Sequence, residues 1–428
     1  MTDIFSELKA RDLVALSTDE SALSSALAEG PVNFYIGFDP TAPSLHMGNL
    51  VQLLFARRLQ LAGHNPFMLV GGATGLIGDP RMSGERTLNP REVVEEWVGK
   101  IRNQVERFVD FDGAHAAQMA NNLDWTGEYS AIDFLREVGK HFSVNRMLAK
   151  EAVSARLKSE HGISFTEFSY QLLQGNDFLQ LYKRHGVTLQ HGGSDQWGNL
   201  TSGTDLIRRV EGVSVHAMAT PLMTKADGTK FGKTESGTVW LDPELTSPYA
   251  FSQFWLNADD RDVMKYLKVF SFRSLEELAA LEEEFCAAPH KRSAQKALAQ
   301  EVTTLVHGEQ QTAQAFAAAE ALFGSGELAG LEPATLAAAT AEVPHATVPA
   351  SALAAGLPVA DAFVEAGIVK SKGEARRAIK EGGAYVNNVK VAAEDRALTT
   401  ADVLDAGSAG VVVLRRGKKT LGAVRVEG

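Results

Sequence analysis

Five groups of residues in this chain have types and spacings that could do chemistry. The first is Phe38-Asp39-Pro40-Thr41 followed by His46-x-Gly48-Asn49, where a carboxylate, a hydroxyl, an imidazole and an amide share a loop broken by Pro40 and Pro43. The second is Gly71-Gly72-Ala73-Thr74-Gly75-Leu76-Ile77-Gly78-Asp79, whose glycines let a ligand approach the backbone closely and whose end is a fixed carboxylate. The third is Tyr170, Gln174 and Asp177, on one face of a helix whose other side carries Leu172, Leu173 and Leu179. Such a stripe faces either water or a polar ligand inside the fold. The fourth is His191-Gly192-Gly193-Ser194-Asp195-Gln196. The fifth is Lys225-Ala226-Asp227-Gly228-Thr229-Lys230-Phe231-Gly232-Lys233-Thr234, whose glycines suit a segment that opens and closes over a ligand.

Apolar periodicity shows which elements must position these groups. Val32, Phe34 and Ile36 alternate as a strand, and Leu50, Leu53, Leu54 and Leu59 recur at helical spacing. Phe67-Met68-Leu69-Val70 then closes a strand–helix–strand unit of a parallel sheet, right-handed by default. Ligands of such sheets sit at the carboxyl ends of the strands, and the helix N-terminus behind His46 favours a phosphate. Val187-Thr188-Leu189-Gln190, with a helix through Leu206 and Ile207, repeats the arrangement. The expected fold class is α/β, a Rossmann-like doubly wound parallel sheet over residues 1–235. Residues 1–30 read as leading helices with Asp12 and Ser17 as caps. A helix capped by Asn89, with Pro90 first, carries a core stripe of Val93, Val94, Trp97, Val98, Ile101, Val105 and Phe108. Residues 236–325 read as an α-helical domain. Residues 326–350, rich in Ala with Pro333, Pro344 and Pro349, read as a linker, and 351–428 as a small α+β domain.

Composition bounds the function. At 428 residues the chain is too long for a single core, and its 45% hydrophobic and 22% charged residues are ordinary for a globular protein. A net charge of −11 argues against nonspecific nucleic-acid binding over the whole surface. The end of the chain inverts that balance: Lys370 to Arg425 holds twelve Lys and Arg against six Asp and Glu, the footprint of a local RNA site. The one cysteine, Cys286, reads as a small buried or half-buried residue, and no Cys-rich metal site is possible. With no leader pattern and no apolar span, the expectation is a cytoplasmic enzyme without membrane contact.

His46-x-Gly48-Asn49 resembles the nucleotide-binding signature of class I aminoacyl-tRNA synthetases, and Lys230-Phe231-Gly232-Lys233-Thr234 resembles their mobile lysine loop in the form carried by tyrosyl-tRNA synthetases. Val359 to Asn388 resembles the S4 RNA-binding domain, so the likeness to the bacterial tyrosyl-tRNA synthetases covers nearly the whole chain. The resemblance implies formation of tyrosyl-adenylate from L-tyrosine and ATP, then transfer of the tyrosyl group to tRNA(Tyr), by a homodimer. It implies that Tyr35 and Asp177 bind the phenol, that Asp79, Tyr170 and Gln174 bind the ammonium, and that Gln196 lies near the carboxylate. It also implies that His46 and Thr41 bind the phosphates at the pentacoordinate stage, with Lys230 and Lys233 neutralising departing pyrophosphate. Gly37, Asp39, Gly48, Asn49, Gly193, Asp195 and Thr234 complete the expected ATP site. Mg²⁺ is expected to accompany ATP, with no protein-bound metal. On the S4-like region Arg376, Arg377, Lys380, Arg415, Arg416, Lys418 and Lys419 are the expected RNA contacts.

Three positions depart from the commoner pattern. Asn49 replaces a second histidine but can donate the same ribose hydrogen bond. Asp79 to Arg86 lacks a pyrophosphate lysine found in some relatives, leaving Arg81 or Arg86, of which Arg86 is the expected substitute. His191 stands where an aliphatic residue is usual. Two rival readings are a tryptophanyl-tRNA synthetase, which would have no use for a donor at Tyr35, and an inactive RNA-binding paralogue, which would not keep His46, Lys230 and Lys233 together.

Overall fold

The computed structural model describes residues 3–427 except 82, 83, 85, 161, 235, 236, 324, 325, 418 and 419. The chain divides into two compact units, one made of residues up to Asp242 with Asp260–Ala280, the other of Pro243–Asp259 with Leu281 onward. The expected helical domain at 236–325 is therefore shared between them.

In the first unit, Asn33–Phe38, Asn65–Val70, Gln118–Asn121, Leu189–Gly193 and His216–Thr220 form a parallel sheet, with Leu16–Ser17 antiparallel at one edge. The order across it is Leu16–Ser17, His216–Thr220, Leu189–Gly193, Asn33–Phe38, Asn65–Val70, Gln118–Asn121. The chain walks outward from Asn33–Phe38 to Gln118–Asn121 and then returns to the other side of its starting strand. The sheet thus changes direction between Asn33–Phe38 and Leu189–Gly193, where such sheets open a crevice for ligands. Helices cover both faces, which is why Phe34, Tyr35, Ile36 and Phe38 are all buried and the strand does not alternate in polarity.

Three helices deliver the functional side chains. Met47–Leu61 begins three residues before its first leucine because His46 caps it. Phe165–His185 starts at Ser164, whose hydroxyl accepts from Glu167 N, and stops at Gly186, held at φ +63°. Trp197–Glu211 follows the paired glycines and ends at Gly212, φ +72°. Elsewhere the local signals were misplaced. The leading helices, Ile4–Ala10 and Glu20–Glu29, are capped by Asp3 and Asp19 rather than Asp12 and Ser17, and the helix after Asn89 is Arg91–Val105 with Pro90 as cap. Cys286 is exposed. It lies on helix Leu275–Ala287 beside the buried Phe285, so the single buried position of that turn is taken by the larger side chain.

In the second unit the strands Val389–Lys390, Ala384–Val386, Gly410–Arg416, Thr420–Glu427 and His345–Pro349 form a sheet, closed at its edge by a parallel pairing of Ala346 with Val424. Helices Val359–Glu365 and Lys372–Lys380 cover it through Phe363, Ala375 and Ile379. The stretch expected as a linker holds the helix Pro333–Ala341 and the edge strand His345–Pro349. Its alanines are good helix formers, and Leu336 and Ala339 bury against Ala315, Ala318 and Val413. No helix among the described residues is long and apolar enough to cross a membrane.

Candidate functional site

A cavity of about 370 Å³ opens at the change of direction of the parallel sheet. Fifteen of the residues expected to bind tyrosine or ATP line it: Tyr35, Gly37, Asp39, Thr41, His46, Gly48, Asn49, Asp79, Arg86, Tyr170, Gln174, Asp177, Gly193, Asp195 and Gln196. The polar stripe on Phe165–His185 therefore faces a polar interior, with Tyr170 6% and Asp177 1% exposed.

At one end of the cavity stand Tyr35 and Asp177. Tyr35 Oη is buried and no described protein group pairs with it. Burial, then the nearby Asp177 charge, holds its O–H far above the usual phenol range, so it remains a donor. The two Asp177 oxygens accept from Trp125 Nε1 at 2.9 Å and from Asn122 Nδ2 at 3.0 Å. Burial pushes the carboxyl up to about 7 against those two hydrogen bonds, with Asp39 adding to the rise. Asn122 also donates to Thr74 Oγ1 at 2.9 Å and accepts from Ala73 N at 2.7 Å, so every polar atom of that buried amide is committed. In the sequence Trp125 reads only as a core residue, which its burial bears out, and Asn122 carries no reading. The signal was the Asn121-Asn122 pair at the carboxyl end of the short edge strand Gln118–Asn121.

A second group of acceptors lies along the same wall. Asp79 accepts from Gln196 Nε2 at 3.0 Å and Asn199 Nδ2 at 3.1 Å. Burial raises its carboxyl, those two bonds oppose the rise, and Lys150 and Arg86 oppose it further. Tyr170 Oη donates to Asp39 Oδ2 at 2.6 Å, which leaves the lone pairs of Oη for a donor in the cavity. Gln174 Oε1 is buried with no described partner. Asp39, expected beside ATP, is instead held by Tyr170 and by Thr74 Oγ1, which donates to Oδ1 at 2.6 Å. Gly71 makes that possible, since a Cβ there would stand 2.2 Å from Asp39 Oδ1.

The start of helix Met47–Leu61 is built by the signature residues themselves. His46 Nδ1 accepts from Gly48 N at 3.1 Å, and Asn49 Oδ1 accepts from His46 N at 3.1 Å, a reciprocal cap. The first bond fixes the tautomer: with Nδ1 accepting, the proton sits on Nε2, free to donate. Burial lowers the His46 pKa and Lys233 adds to the lowering, so the ring is neutral near pH 7. Gly48 is required here because a Cβ would lie 2.9 Å from His46 Cε1.

Lys230, Lys233 and Thr234 do not line the cavity. They are exposed, on a loop that rests on the start of Met47–Leu61: Val239 N donates to Gly232 O at 2.9 Å, and Gly232, φ +74°, sits where a Cβ would be 2.8 Å from Met47 Cβ. Arg86 reaches the cavity and is anchored by its Nε to Asp79 O at 2.6 Å. His191 is buried on the face of Phe55, ring centroids 3.4 Å apart, and burial drops its pKa to about 3. Among the described residues no three His, Cys, Asp or Glu are grouped to hold a metal.

On the second unit Arg376, Arg377 and Lys380 are exposed on helix Lys372–Lys380. Arg415 differs from expectation: it is buried, its guanidinium stacks 4.0 Å over the Tyr385 ring, and it donates to Gly417 O at 2.6 Å. Strand Gly410–Arg416 points this residue inward, so its charge is spent on the fold. Arg416 pairs with Glu374 at 2.5 Å. Lys418 and Lys419 lie outside the described residues.

Comparison with known proteins bears on this geometry. The family profile of tRNA synthetases class I (W and Y) matches residues 27–324, and that of the tyrosine–tRNA ligase SYY-like C-terminal domain matches 336–424. The chain is 65% identical to a tyrosine–tRNA ligase of Streptomyces avermitilis and 62% identical to one of Streptomyces coelicolor, in each case over 100% of both chains. Its structure resembles that of a C-terminally truncated mitochondrial tyrosyl-tRNA synthetase of Coccidioides posadasii, with TM-score 0.65 and 31% identity over 74% of this chain and 91% of that one.

Proposed function

The chain belongs to the class I tyrosyl-tRNA synthetases, which use ATP to join tyrosine to tRNA, and we propose that the cavity described above binds tyrosine and ATP with each residue in a definite role. Tyr35 donates to the substrate phenol oxygen and Asp177 accepts its proton. Phenylalanine would leave the Tyr35 hydroxyl buried and unpaired and would give Asp177 no donor beyond Asn122 and Trp125; this enzyme class is the reference case for that rule, with discrimination of about 10⁵. Asp79, Gln174 and Tyr170 supply three acceptors for the ammonium, and Gln196 stands by the carboxylate. The observation that carries the reading is the end of the cavity: a buried phenol donor and a carboxylate with both oxygens already fixed by Asn122 and Trp125. An indole N–H would need only an acceptor there.

Adenylation needs no protein nucleophile, because the substrate carboxylate attacks the α-phosphorus. The chain positions the reactants and stabilises charge. His46 donates through Nε2–H to a phosphate oxygen as the pentacoordinate centre forms, with Thr41 at the rim. Gly48 gives adenine a flat approach, Asn49 and Asp195 bond the ribose beside Gly193, and Lys230, Lys233 and Arg86 neutralise pyrophosphate. Lys230 and Lys233 must move inward from their exposed positions to do so, as the glycines of their loop allow. Gly37 walls the cavity, Thr234 travels with the lysine loop, and Asp39 orients Tyr170. Mg²⁺ enters on the phosphates as part of the ATP substrate. The S4-like region holds tRNA(Tyr) through Arg376, Arg377 and Lys380, with Arg416, Lys418 and Lys419 as further contacts. The active form is a cytoplasmic homodimer.

Separating binding from chemistry tests the His46 role. Tyrosine affinity of His46→Ala, followed by intrinsic fluorescence, should match the wild type within about twofold, while single-turnover formation of tyrosyl-adenylate slows about 10²-fold or more. An equal loss in both would assign His46 to ground-state binding instead.

A further inference from the structure

Asp79 is reached from outside the cavity by a residue with no role so far. Lys150 stands at the start of helix Glu151–Leu157 and runs its side chain along Gly198, where a Cβ would be 3.1 Å from Lys150 Cε and 3.5 Å from Cδ. Its Nζ donates to Asn199 Oδ1 at 2.5 Å. Asn199 Nδ2 donates onward to Asp79 Oδ1 at 3.1 Å and Gln196 Oε1 at 2.8 Å, and Gln196 Nε2 closes the ring on Asp79 Oδ2 at 3.0 Å.

Two groups set the bond directions in that ring: the Asp79 carboxylate, which only accepts and takes the nitrogen of both amides, and the lysine, which only donates and takes the Asn199 oxygen. An ammonium only donates, so Asn199 must turn its oxygen to Lys150 and its nitrogen to Asp79 and Gln196. Gln196 then presents oxygen to Asn199 and nitrogen to Asp79. Without the lysine the buried Asn199 oxygen loses its donor, and Asp79 is left to orient both amides by itself. Burial brings the Lys150 pKa down to about 7, with the Asp79 charge opposing the fall. The other side of Lys150 faces a separate hollow of about 550 Å³ bordered by Arg146, Gln171, Ser202 and Asp205, so the lysine reaches the ring from behind.

We infer that Lys150 is a positioning residue for the α-ammonium of tyrosine: it touches no substrate atom, and it holds Asn199 and Gln196 so that Asp79 keeps its carboxylate toward the cavity. The inference rests on the reading of Asp79 as the counter-charge of that ammonium.

Three ligands of the tyrosine site separate the possibilities: tyrosine as the substrate of pyrophosphate exchange, and as its competitors tyramine, which keeps the ammonium and lacks the carboxylate, and 3-(4-hydroxyphenyl)propionate, which does the reverse. In Lys150→Met the first two should weaken about tenfold or more while the third changes less than twofold and KM for ATP is unchanged. Lys150→Arg, which keeps charge and donors, should restore most of the loss. Asp79→Asn is the reference. If it weakens all three ligands alike, the reading of Asp79 fails. If it shows the ammonium-selective loss while Lys150→Met weakens all three alike or none, that reading stands and the role of Lys150 is overturned.

Discussion

Tyr35→Phe and Asp177→Asn each remove one partner of the substrate phenol, yet they leave different things behind. No described protein group bonds Tyr35 Oη, so phenylalanine at 35 costs the ligand-free protein no protein hydrogen bond, and its unfolding free energy should stay within about 1 kcal/mol of the wild type. The bound phenol loses one hydrogen bond between neutral groups, about 0.5–1.5 kcal/mol, or roughly 2- to 13-fold in kcat/KM for tyrosine. Asp177 is another matter, because both its oxygens already accept, from Trp125 and Asn122. The amide of asparagine must set an NH₂ against one of those donors, which adds a destabilisation of about 1–3 kcal/mol to the ligand-free protein. It also removes a charged acceptor from the phenol, about 1.5–3 kcal/mol, or roughly 13- to 160-fold in kcat/KM. Pyrophosphate exchange with tyrosine and with phenylalanine, beside urea unfolding without ligands, reads all of these. With phenylalanine, Tyr35→Phe should lose nothing. Equal stability losses in the two variants, or an unchanged kcat/KM for tyrosine in Tyr35→Phe, would refute the reasoning.

Other outcomes follow from the same geometry. Because burial raises the Asp177 carboxyl to about 7 from an unfolded value near 3.9, the folded protein binds that proton more tightly. Its contribution is full below about pH 4 and is lost as pH rises through 7, so urea melts at pH 5 and pH 8 should show Asp177→Asn gaining stability relative to the wild type at the higher pH. Gly48→Ala should push the His46 ring off its cap and lower the rate of adenylation about tenfold or more, with the fold intact by circular dichroism; an unchanged rate would detach Gly48 from His46. Phe165 and Ile132, 73% and 71% exposed, are candidates for the dimer face. Sedimentation of the wild type should give twice 46.0 kDa and of Phe165→Asp a single chain.

Much of the site was legible because its signals are periodic or clustered. The i, i+4, i+7 stripe of Tyr170, Gln174 and Asp177 sits on a helix whose opposite side is apolar, and a polar face in such a setting had only two destinations. The glycines after Val70 and Gln190 marked the carboxyl ends of the two strands that flank Asn33–Phe38. What escaped notice acts singly. Asn122, Trp125, Asn199 and Lys150 act through single polar atoms, and only the folded chain brings them together around Asp177 and Asp79. A His-x-Gly at a helix start reads equally as a cap with a packing glycine; the structure shows that cap, and ligand binding would employ different atoms of the same residues. Prolines misled the linker assignment. Pro333 opens a helix and Pro349 caps one, positions where a missing N–H costs nothing, so they mark beginnings rather than breaks. Arg415 looked like an RNA contact because charge is visible in a sequence, whereas the inward side of a strand next to Tyr385 is not.

The most direct measurement is exchange of labelled pyrophosphate into ATP without tRNA, with tyrosine, phenylalanine and tryptophan in turn, on the wild type and on Asp177→Ala. Exchange supported by tyrosine alone, and lost in Asp177→Ala, is the predicted result. Exchange supported equally by phenylalanine or tryptophan, or tyrosine exchange that survives Asp177→Ala, would contradict the assignment of Tyr35 and Asp177 as the groups that read the phenol.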